Sequence, residues 1–405
     1  MLRTIFIKNF SDKIISCSIL LIIITKFQPL LSQQPDKAEK TSLQDFLALN
    51  QENLFTPLIC MESWLTYSMG EEKNGEKFEN RADVLFRRFR LGAKGSPYNW
   101  LGYSFQISLD RLGEDSYAAT KSSCSGPNIW NAYISAKLLQ KSDLLYLNAG
   151  YYWAVISRET QYSSWAVGSF DKTRADWYLR DFTTGRGNGI ESGIGIAGIK
   201  NFNKFGISYL LNTFEPSAFL SSEYASRLYT GRLMVSFLES EFPKYSYLLC
   251  GNQWRKRTGV TLGFGASTQS NGKINDTLFY TKSNTFGADI LINYVGLSID
   301  GQYYLLSRSA ESLTDFEGAL WHIRMAYTFE TGKTFFEPCI SYENYEGTGP
   351  NSIYTYTGED ETLDIGVNWY LNKDKLKLAL HYIYQNATVS TNVGDYYGVN
   401  AQFRL

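Results

Sequence analysis

Alternating apolar and polar side chains between Glu361 and Leu405 constrain the fold more than any other feature of the chain. Successive residues of a β-strand face opposite sides of a sheet, so this pattern predicts strands with one apolar and one polar face. A closed barrel in a lipid bilayer accommodates such strands, because lipid covers the apolar face and the last strand pairs with the first. The apolar rows are Leu363, Ile365, Val367, Trp369 and Leu371, then Leu376, Leu378, Leu380, Tyr382 and Tyr384, and finally Tyr397, Val399, Ala401, Phe403 and Leu405.

The same alternation recurs upstream and gives a total of about 16 strands, with segments about ten residues long, as a tilted membrane strand requires. We therefore predict an all-β protein, a transmembrane antiparallel β-barrel. The predicted strands before the C-terminal three are 58–68, 84–95, 100–111, 128–139, 144–153, 190–199, 204–212, 228–238, 259–267, 285–294, 297–306, 319–329 and 334–345.

The lengths of the connections support this interpretation. Short turns near Ser96, Gln140, Asn203, Gly296, Gly332 and Lys373 alternate with longer connections. Short periplasmic turns on one rim and long extracellular loops on the other are typical of outer-membrane barrels. The exception is residues 239–257, a long segment on the short-turn side with weak alternation at Tyr245, Tyr247 and Leu249. Two further strands there would bring the total to 18.

The amino terminus has the layout of a secretory signal peptide. Arg3, Lys8 and Lys13 precede an apolar run over residues 14–24, and Ser32 offers a small residue for cleavage. A lipid-anchoring cysteine would follow this run, whereas Cys17 lies near its start. We predict a signal peptide over residues 1–32, a periplasmic lead-in over 33–56 and the barrel over 57–405, with export to the bacterial outer membrane and contact with its lipid.

Composition excludes several classes of function. The formal net charge of -1 argues against a nucleic-acid-binding protein, which would be strongly basic. Cys60, Cys124, Cys250 and Cys339 show no CxxC spacing, so we expect no metal site and no cofactor, although export would permit a disulfide.

A soluble β-sandwich would have to bury every apolar row against a second sheet. The absence of a fixed repeat argues against a β-helix or a propeller.

The longest connection, residues 154–188, is the first candidate functional region. Mixed charge and two tryptophans in a long loop predict that it folds into the lumen and narrows it, where charged side chains set ion preference. The alternative is a solvated surface loop. Its basic residues, the candidate constriction residues, are Arg158, Lys172, Arg174, Arg180 and Arg186.

On the barrel wall, the alternation places the candidate pore residues Arg88, Arg90 and Arg324 on the inner face. Leu85 is assigned to the lipid face, and Arg87 interrupts that row, so we place Arg87 near a membrane interface with its stem snorkelling. Inward basic and acidic residues are nearly balanced over the whole lumen. We expect a solvated inner face on which Asn368, for example, tolerates a charge.

Enzymatic interpretations have less support. The two histidines, His322 and His381, lie on predicted inward faces of separate strands, and no motif places a serine beside either one. The glycine-rich residues 185–189 do not follow a βαβ pattern, which argues against a nucleotide site. We therefore predict no catalytic residues and no enzyme activity.

Several short stretches resemble motifs of the phosphate-selective porin O and P family in the family's order. They are FRRFRLGAKG at 86–95, NAYI at 131–134, SRE at 157–159, TGRGNG at 184–189 and NWYLNK at 368–373. The resemblance implies a sixteen-stranded homotrimeric porin with an inward third extracellular loop, and residues 154–188 form the third long loop. It implies passive diffusion of small hydrophilic solutes, including anions such as phosphate. The alternative is a non-conducting structural or interaction barrel of the outer membrane.

Overall fold

A computed structural model describes residues 53–69, 72–73, 76–77, 80–112, 126–220, 226–249, 251–274, 278–311, 313–348, 352–389 and 394–405. The expected signal peptide, most of the expected lead-in, Cys124 and Cys250 lie outside these residues. Cys60 and Cys339 are buried free thiols.

Sixteen strands form the wall of the barrel. They are β1 (Thr56–Ser68), β2 (Arg81–Tyr98), β3 (Leu101–Ser108), β4 (Asn128–Lys137), β5 (Tyr146–Trp153), β6 (Ile190–Asn201), β7 (Phe205–Glu215), β8 (Leu228–Leu238), β9 (Gly259–Lys273), β10 (Phe279–Tyr294), β11 (Leu297–Ser309), β12 (Phe316–Tyr327), β13 (Thr334–Gly347), β14 (Gly358–Asn372), β15 (Leu376–Ala387) and β16 (Tyr396–Arg404). Phe329–Thr331 continues β12, and Glu72–Lys73 pairs with Glu76–Lys77 beyond β1. Two helices, α1 (Arg158–Gln161) and α2 (Arg174–Thr184), lie between β5 and β6.

Every strand pairs antiparallel with its neighbours in the chain, and β16 closes the ring by pairing with β1. Met61 lies opposite Phe403, and Tyr67 lies opposite Tyr397. Closure leaves no strand edge unpaired, which the hydrocarbon region of a bilayer demands. The predicted closed antiparallel barrel of sixteen strands is confirmed.

Exposure along β15 shows which face is outside. Leu378 is 37% exposed and Leu380 is 54% exposed, whereas Lys377 and His381 are each 1% exposed. A water-soluble protein buries its leucines and exposes its lysines, so this inverted pattern indicates lipid outside the barrel. Neither of the two described helices is long and apolar enough to cross a bilayer.

Leu380→Arg is expected to impair barrel assembly, because an arginine on the lipid face near the midplane costs about 2–4 kcal/mol. Heat-modifiable migration in gels measures the folded fraction of the barrel. Thr331→Arg is the control, since Thr331 lies exposed next to a short turn outside the barrel wall's apolar rows. Equal losses of folded barrel in both variants would contradict the assigned outer face.

A β-bulge in β2 corrects the expected positions of Leu85 and Arg87. The register between β1 and β2 shifts at Glu62, so that Glu62 faces Arg88 while Ser63 faces Phe86. A bulge places two residues of one strand opposite one of its partner and reverses the alternation beyond it. Leu85 is therefore buried at 3% exposure, and Arg87 points inward rather than snorkelling at an interface.

The long segment after β8 adds no strand to the barrel, so the total is sixteen and not eighteen. Its described residues, 239–249 and 251–258, are called the long turn below. Leu249 makes an isolated parallel bridge with Tyr162, outside the barrel wall. The weak alternation of Tyr245, Tyr247 and Leu249 reflects packing inside the barrel, where Tyr247 is 4% exposed and Leu249 is 2% exposed.

The inner face is packed rather than solvated, which corrects the expectation for Asn368. Asn368 is 0% exposed, and its amide donates a 2.6 Å hydrogen bond to the carbonyl oxygen of Gly168. A charged side chain at this position would be desolvated at a high free-energy cost, and it would clash with the atoms that already fill the space. The alternation predicted the inward direction of this side chain but not what lies against it.

Candidate solute pathway

Residues 154–188, called the inward loop below, fold into the barrel through two capped helices. The hydroxyl of Ser157 accepts the amide of Thr160 at the start of α1, and that of Thr173 accepts the amide of Asp176 at the start of α2. Gly185 ends α2 in the left-handed conformation at φ 72°. Serine and threonine are favoured at the first position and glycine at the last, so the sequence encodes both helix ends locally.

Arg308 of β11 holds the C-terminal end of α2 against the wall. Its guanidinium donates to the carbonyl oxygen of Phe182 and lies 4.3 Å from the centre of the Phe182 ring and 4.7 Å from that of Tyr280. A cation at a helix C-terminus interacts favourably with the helix dipole, and aromatic faces attract it further. An apolar cluster around α2 completes this anchor.

Hydrogen bonds tie the rest of the inward loop to the opposite wall. The amide of Phe170 donates to Asp364 of β14 at 2.7 Å, and the amide of Ala175 donates to Glu343 of β13 at 2.9 Å. The side chain of Gln402 in β16 donates to the carbonyl oxygen of Trp165 at 2.9 Å. The inward loop therefore packs against the wall on the β8 to β16 side, where a cavity of about 30 Å³ remains beside β13 to β16.

A cavity of about 60 Å³ remains between the inward loop and the wall at β2 to β4. Its lining is dominated by basic side chains. Six basic side chains and two acidic side chains line the cavity. The basic residues are Arg87, Arg88, Arg90, Arg111, Lys172 and Arg180, and the acidic ones are Asp110 and Asp171.

The arginines of β2 are held in fixed orientations by Asp110, Asp171 and a further acid, Glu62. Arg88 bridges Glu62 at 2.5 Å and Asp171 of the inward loop, and Arg87 donates to Asp171 at 2.9 Å. Arg90 pairs with Asp110 at 2.6 Å, and its guanidinium lies 3.4 Å from the centre of the Trp130 ring. Paired and stacked guanidinium groups lose little conformational freedom when an anion arrives, so the site is pre-organised.

The inward loop contributes two further cations to this cavity. Lys172 donates to the carbonyl oxygen of Glu159 at 2.7 Å, and Arg180 pairs with Asp176 at 2.9 Å. Burial lowers the pKa of Lys172 to about 8, against the opposing attraction of Asp176. Its charge is therefore present at neutral pH and is lost on mild alkalinisation.

Two more cavities lie along the same wall towards the short-turn rim. One of about 60 Å³ shares Arg90, Trp130 and Ser164 with the first cavity. The next, of about 300 Å³, lies at the rim beside Lys94 and shares Tyr133 with the second. The three cavities form a series along β2 to β4 that runs from the inward loop to the short-turn rim, called the β2–β4 passage below.

The other predicted site residues lie away from this passage. Arg158 contacts Glu241 and Asp289 at 2.7 Å and 3.3 Å, and Arg174 contacts Asp360 at 2.7 Å. Arg324 donates to Glu159 at 2.9 Å. Arg186 lies at the long-loop rim, where its side chain is 41% exposed and pairs with Glu191 at 3.3 Å. Of the eight predicted residues, the structure brings Arg88, Arg90, Lys172 and Arg180 together in one cavity.

Arg87 and Arg111 also line that cavity, although the alternation of the sequence did not place them there. A signal for Arg87 was present: Phe86 and Phe89 are separated by two arginines rather than one, a phase slip that a bulge explains. Arg111 follows β3 with a left-handed backbone at φ 65°, so strand alternation does not predict its direction.

Both histidines face inward and contact carboxylates. His322 lies 3.0 Å from Asp300, and His381 lies 2.5 Å from Asp364. Glu159, Asp300 and His322 each offer an atom within 4.8 Å of the others, a spacing that suits a metal ion. The guanidinium of Arg324 lies 2.9 Å from Glu159 and 3.9 Å from Asp300, so a cationic side chain already pairs with both carboxylates.

The family model described as "Phosphate-selective porin O and P" matches residues 65–404. The chain belongs to this porin family. It is therefore an outer-membrane channel for small solutes, and its fold is that of non-enzymatic channels. None of the curated proteins compared with the chain matches it.

Solved porins share the fold of this porin at low sequence identity. An anion-selective porin from Comamonas acidovorans is 14% identical with a TM-score of 0.58, covering 87% of this chain and 99% of its own. OprB from Pseudomonas putida is 9% identical with a TM-score of 0.57, covering 87% and 95%. OmpF from Salmonella typhi is 9% identical with a TM-score of 0.56, covering 88% and 99%.

Proposed function

We propose that this porin conducts small hydrophilic anions by passive diffusion, and that they follow the β2–β4 passage. The observation that carries the proposal is the excess of six basic over two acidic side chains around the cavity beside the inward loop. Charge of one sign in a narrow passage with low-dielectric walls concentrates counter-ions and sets ion preference.

The chemistry of this lining favours oxyanions. Guanidinium groups present paired N–H donors that match the oxygens of phosphate and carboxylate groups, and Arg88 and Arg90 are held in place for such contacts. Phosphate is the solute named in the family description. The similarity to the anion-selective porin of Comamonas acidovorans is consistent with the same preference.

Glu62 and Asp176 moderate this preference. They lie behind Arg88 and Arg180 at 2.5 Å and 2.9 Å, so part of the positive charge is neutralised locally. The proposal is therefore a moderate anion preference that weakens as salt screens the field, with a Debye length of about 10 Å at 0.1 M. We also propose that residues 1–32 are cleaved on export and that the porin is a homotrimer, which chemical cross-linking of the purified protein tests.

Replacing Lys172 and Arg180 together by Gln is expected to shift the reversal potential in a salt gradient towards cations without closing the channel. The two charges face the first cavity, so their loss lowers the local positive potential. In the unmodified protein, raising the pH from about 7 to about 9 should give a partial shift in the same direction, because Lys172 loses its proton near pH 8.

Arg186→Gln is the matched control, because Arg186 lies exposed at the rim outside the passage. It should leave the reversal potential unchanged at low salt. An unchanged potential in the conducting Lys172/Arg180 double variant would remove these residues from the mechanism. A folded wild-type protein without conductance would instead favour the structural or interaction barrel.

A further inference from the structure

The long turn crosses the bore of the barrel near the short-turn rim. At one end Tyr245 stacks on Tyr146 of β5 with ring centres 4.3 Å apart. The hydroxyl of Tyr245 also accepts a 2.8 Å hydrogen bond from the side-chain amide of Asn148. At the other end Trp254 packs edge-on against Tyr370 of β14 at 4.9 Å. In a ring of sixteen strands, β13 is diametrically opposite β5, and β14 is its neighbour. The long turn therefore reaches nearly across the full width of the barrel.

The far end is held by further polar contacts. Asn252 donates to Glu337 of β13 and to Thr328 beside β12, the latter at 3.3 Å. Arg255 donates to the carbonyl oxygen of Thr328 at 2.9 Å. A segment fixed to opposite walls differs from a mobile surface turn, because its position in the bore is set by contacts at both ends.

The inward loop and the long turn enter from opposite rims and join inside the lumen. The amide of Leu249 donates to the carbonyl oxygen of Gln161 at 3.0 Å, and the amide of Ser163 donates to that of Leu249 at 3.3 Å. The side chain of Gln161 also donates to the carbonyl oxygen of Tyr247 at 2.9 Å. Strand-like pairing of this kind joins the two segments through the backbone.

A buried ion pair joins them a second time. Arg158 of the inward loop makes a bidentate salt bridge with Glu241 of the long turn, with N–O distances of 2.7 Å and 3.0 Å. The side chain of Arg158 is 2% exposed and that of Glu241 is 0% exposed. Arg158 and Arg232 of β8 both contact Asp289 of β10, so the joint is also fixed to the wall. Separating such a buried ion pair leaves uncompensated buried charges, and this energetic cost keeps the two segments together.

The long turn also forms part of the β2–β4 passage. Leu248 lines the second cavity opposite Ser104 and Gln106 of β3. Its neighbour Tyr247 packs beside Tyr133 of β4 with ring centres 5.9 Å apart. The second cavity is thus bounded by the barrel wall, by residues 162–165 of the inward loop and by Leu248 of the long turn, below the basic cavity.

We propose that the long turn is a second constriction element, which sets the size limit of the channel at the short-turn end. The inward loop carries charges that set selectivity and also narrows the pore, whereas the long turn adds a restriction on solute size alone. Together they partition the lumen and confine solutes to the β2–β4 side. This inference rests on the proposed function, since it concerns the same passage, but it assigns a separate property to a separate segment.

The test replaces residues 242–256 by a short Gly-Ser linker and measures conductance, reversal potential and the entry of neutral sugars of increasing size into liposomes. We expect a higher single-channel conductance and passage of larger sugars. The sign of the reversal potential should persist, because Arg88, Arg90, Lys172 and Arg180 remain. A milder variant, Tyr245→Ala with Trp254→Ala, releases both ends of the long turn and should change the size limit in the same direction.

Trp369→Ala is the matched control, because its ring lies on the lipid face at 45% exposure and it should leave the size limit unchanged. An unchanged or smaller size limit in the linker variant, or in the double alanine variant if the first does not fold, overturns the inference. Loss of anion preference in the unmodified porin would instead refute the proposed function, so the two failures are distinguishable.

Discussion

Replacing residues 157–187 by a short linker is expected to raise single-channel conductance several-fold and to abolish most charge selectivity. The inward loop occupies most of the space beside the wall on the β8 to β16 side, and removing it would open that side to water. Excision is feasible because β5 and β6 already meet: Trp153 lies opposite Ile190, and the amide of Ala154 donates to the carbonyl oxygen of Gly189 at 2.8 Å. Such adjacent strand ends accept a short hairpin connection.

Planar-bilayer recordings at high and low salt measure both effects. Arg308→Met gives an intermediate test, because it removes the cation that holds the end of α2 and loosens the inward loop without deleting it. Conductance of the linker variant equal to that of the unmodified porin would mean that the inward loop does not restrict the pore. The outward Trp369→Ala variant again serves as the unaffected control.

Removal of residues 398–405 is expected to abolish insertion into the outer membrane. β16 pairs with β1 along Cys60–Ser68 and with β15 along Leu376–Ile383, so its loss opens two edges at once. Each backbone group left unpaired in hydrocarbon costs several kcal/mol, and no water is present there to replace its partner. The amount of folded protein in isolated outer membranes measures the result.

Removal of Leu405 alone is the control, because β16 ends at Arg404 and this deletion costs one backbone hydrogen bond to β1, from the amide of Leu405 to the carbonyl oxygen of Ile59. This shorter deletion should insert normally or nearly so. Normal outer-membrane levels of the longer deletion would show that β16 is not needed to close the barrel.

The packed lumen gives these predictions a shared physical basis. The side chains of wall residues Arg232 and Asp289 are completely buried and pair with each other at 2.5 Å, and Arg158 of the inward loop, itself paired with Glu241 of the long turn, also contacts Asp289. A change in either segment therefore alters the space open to solutes and also the hydration of wall charges. Conductance and stability should be measured together, since a loosened variant of this kind is expected to unfold at lower temperature.

The sequence by itself predicted about sixteen strands, with eighteen left open, and, for most of them, the face that each side chain occupies. Alternation has a period of two residues and needs only local information, because lipid requires an apolar outer row along every strand. Arg324, His381 and Asn368 were placed inward on that basis, and the structure buries all three inside the barrel. The caps of α1 and α2 are likewise local signals.

Only the tertiary structure decided what fills the barrel. The bulge that turns Arg87 inward leaves a phase slip in the sequence of β2, but its place opposite Glu62 and Ser63 depends on the register between β1 and β2. The joint between Arg158 and Glu241 links residues 83 positions apart, and the long turn is fixed by walls on opposite sides of the ring. Such contacts depend on closure of the barrel, which brings distant segments into one small volume. Period-two alternation carries no information about these partners, so the sequence predicted a barrel and the structure showed which segments pack inside it.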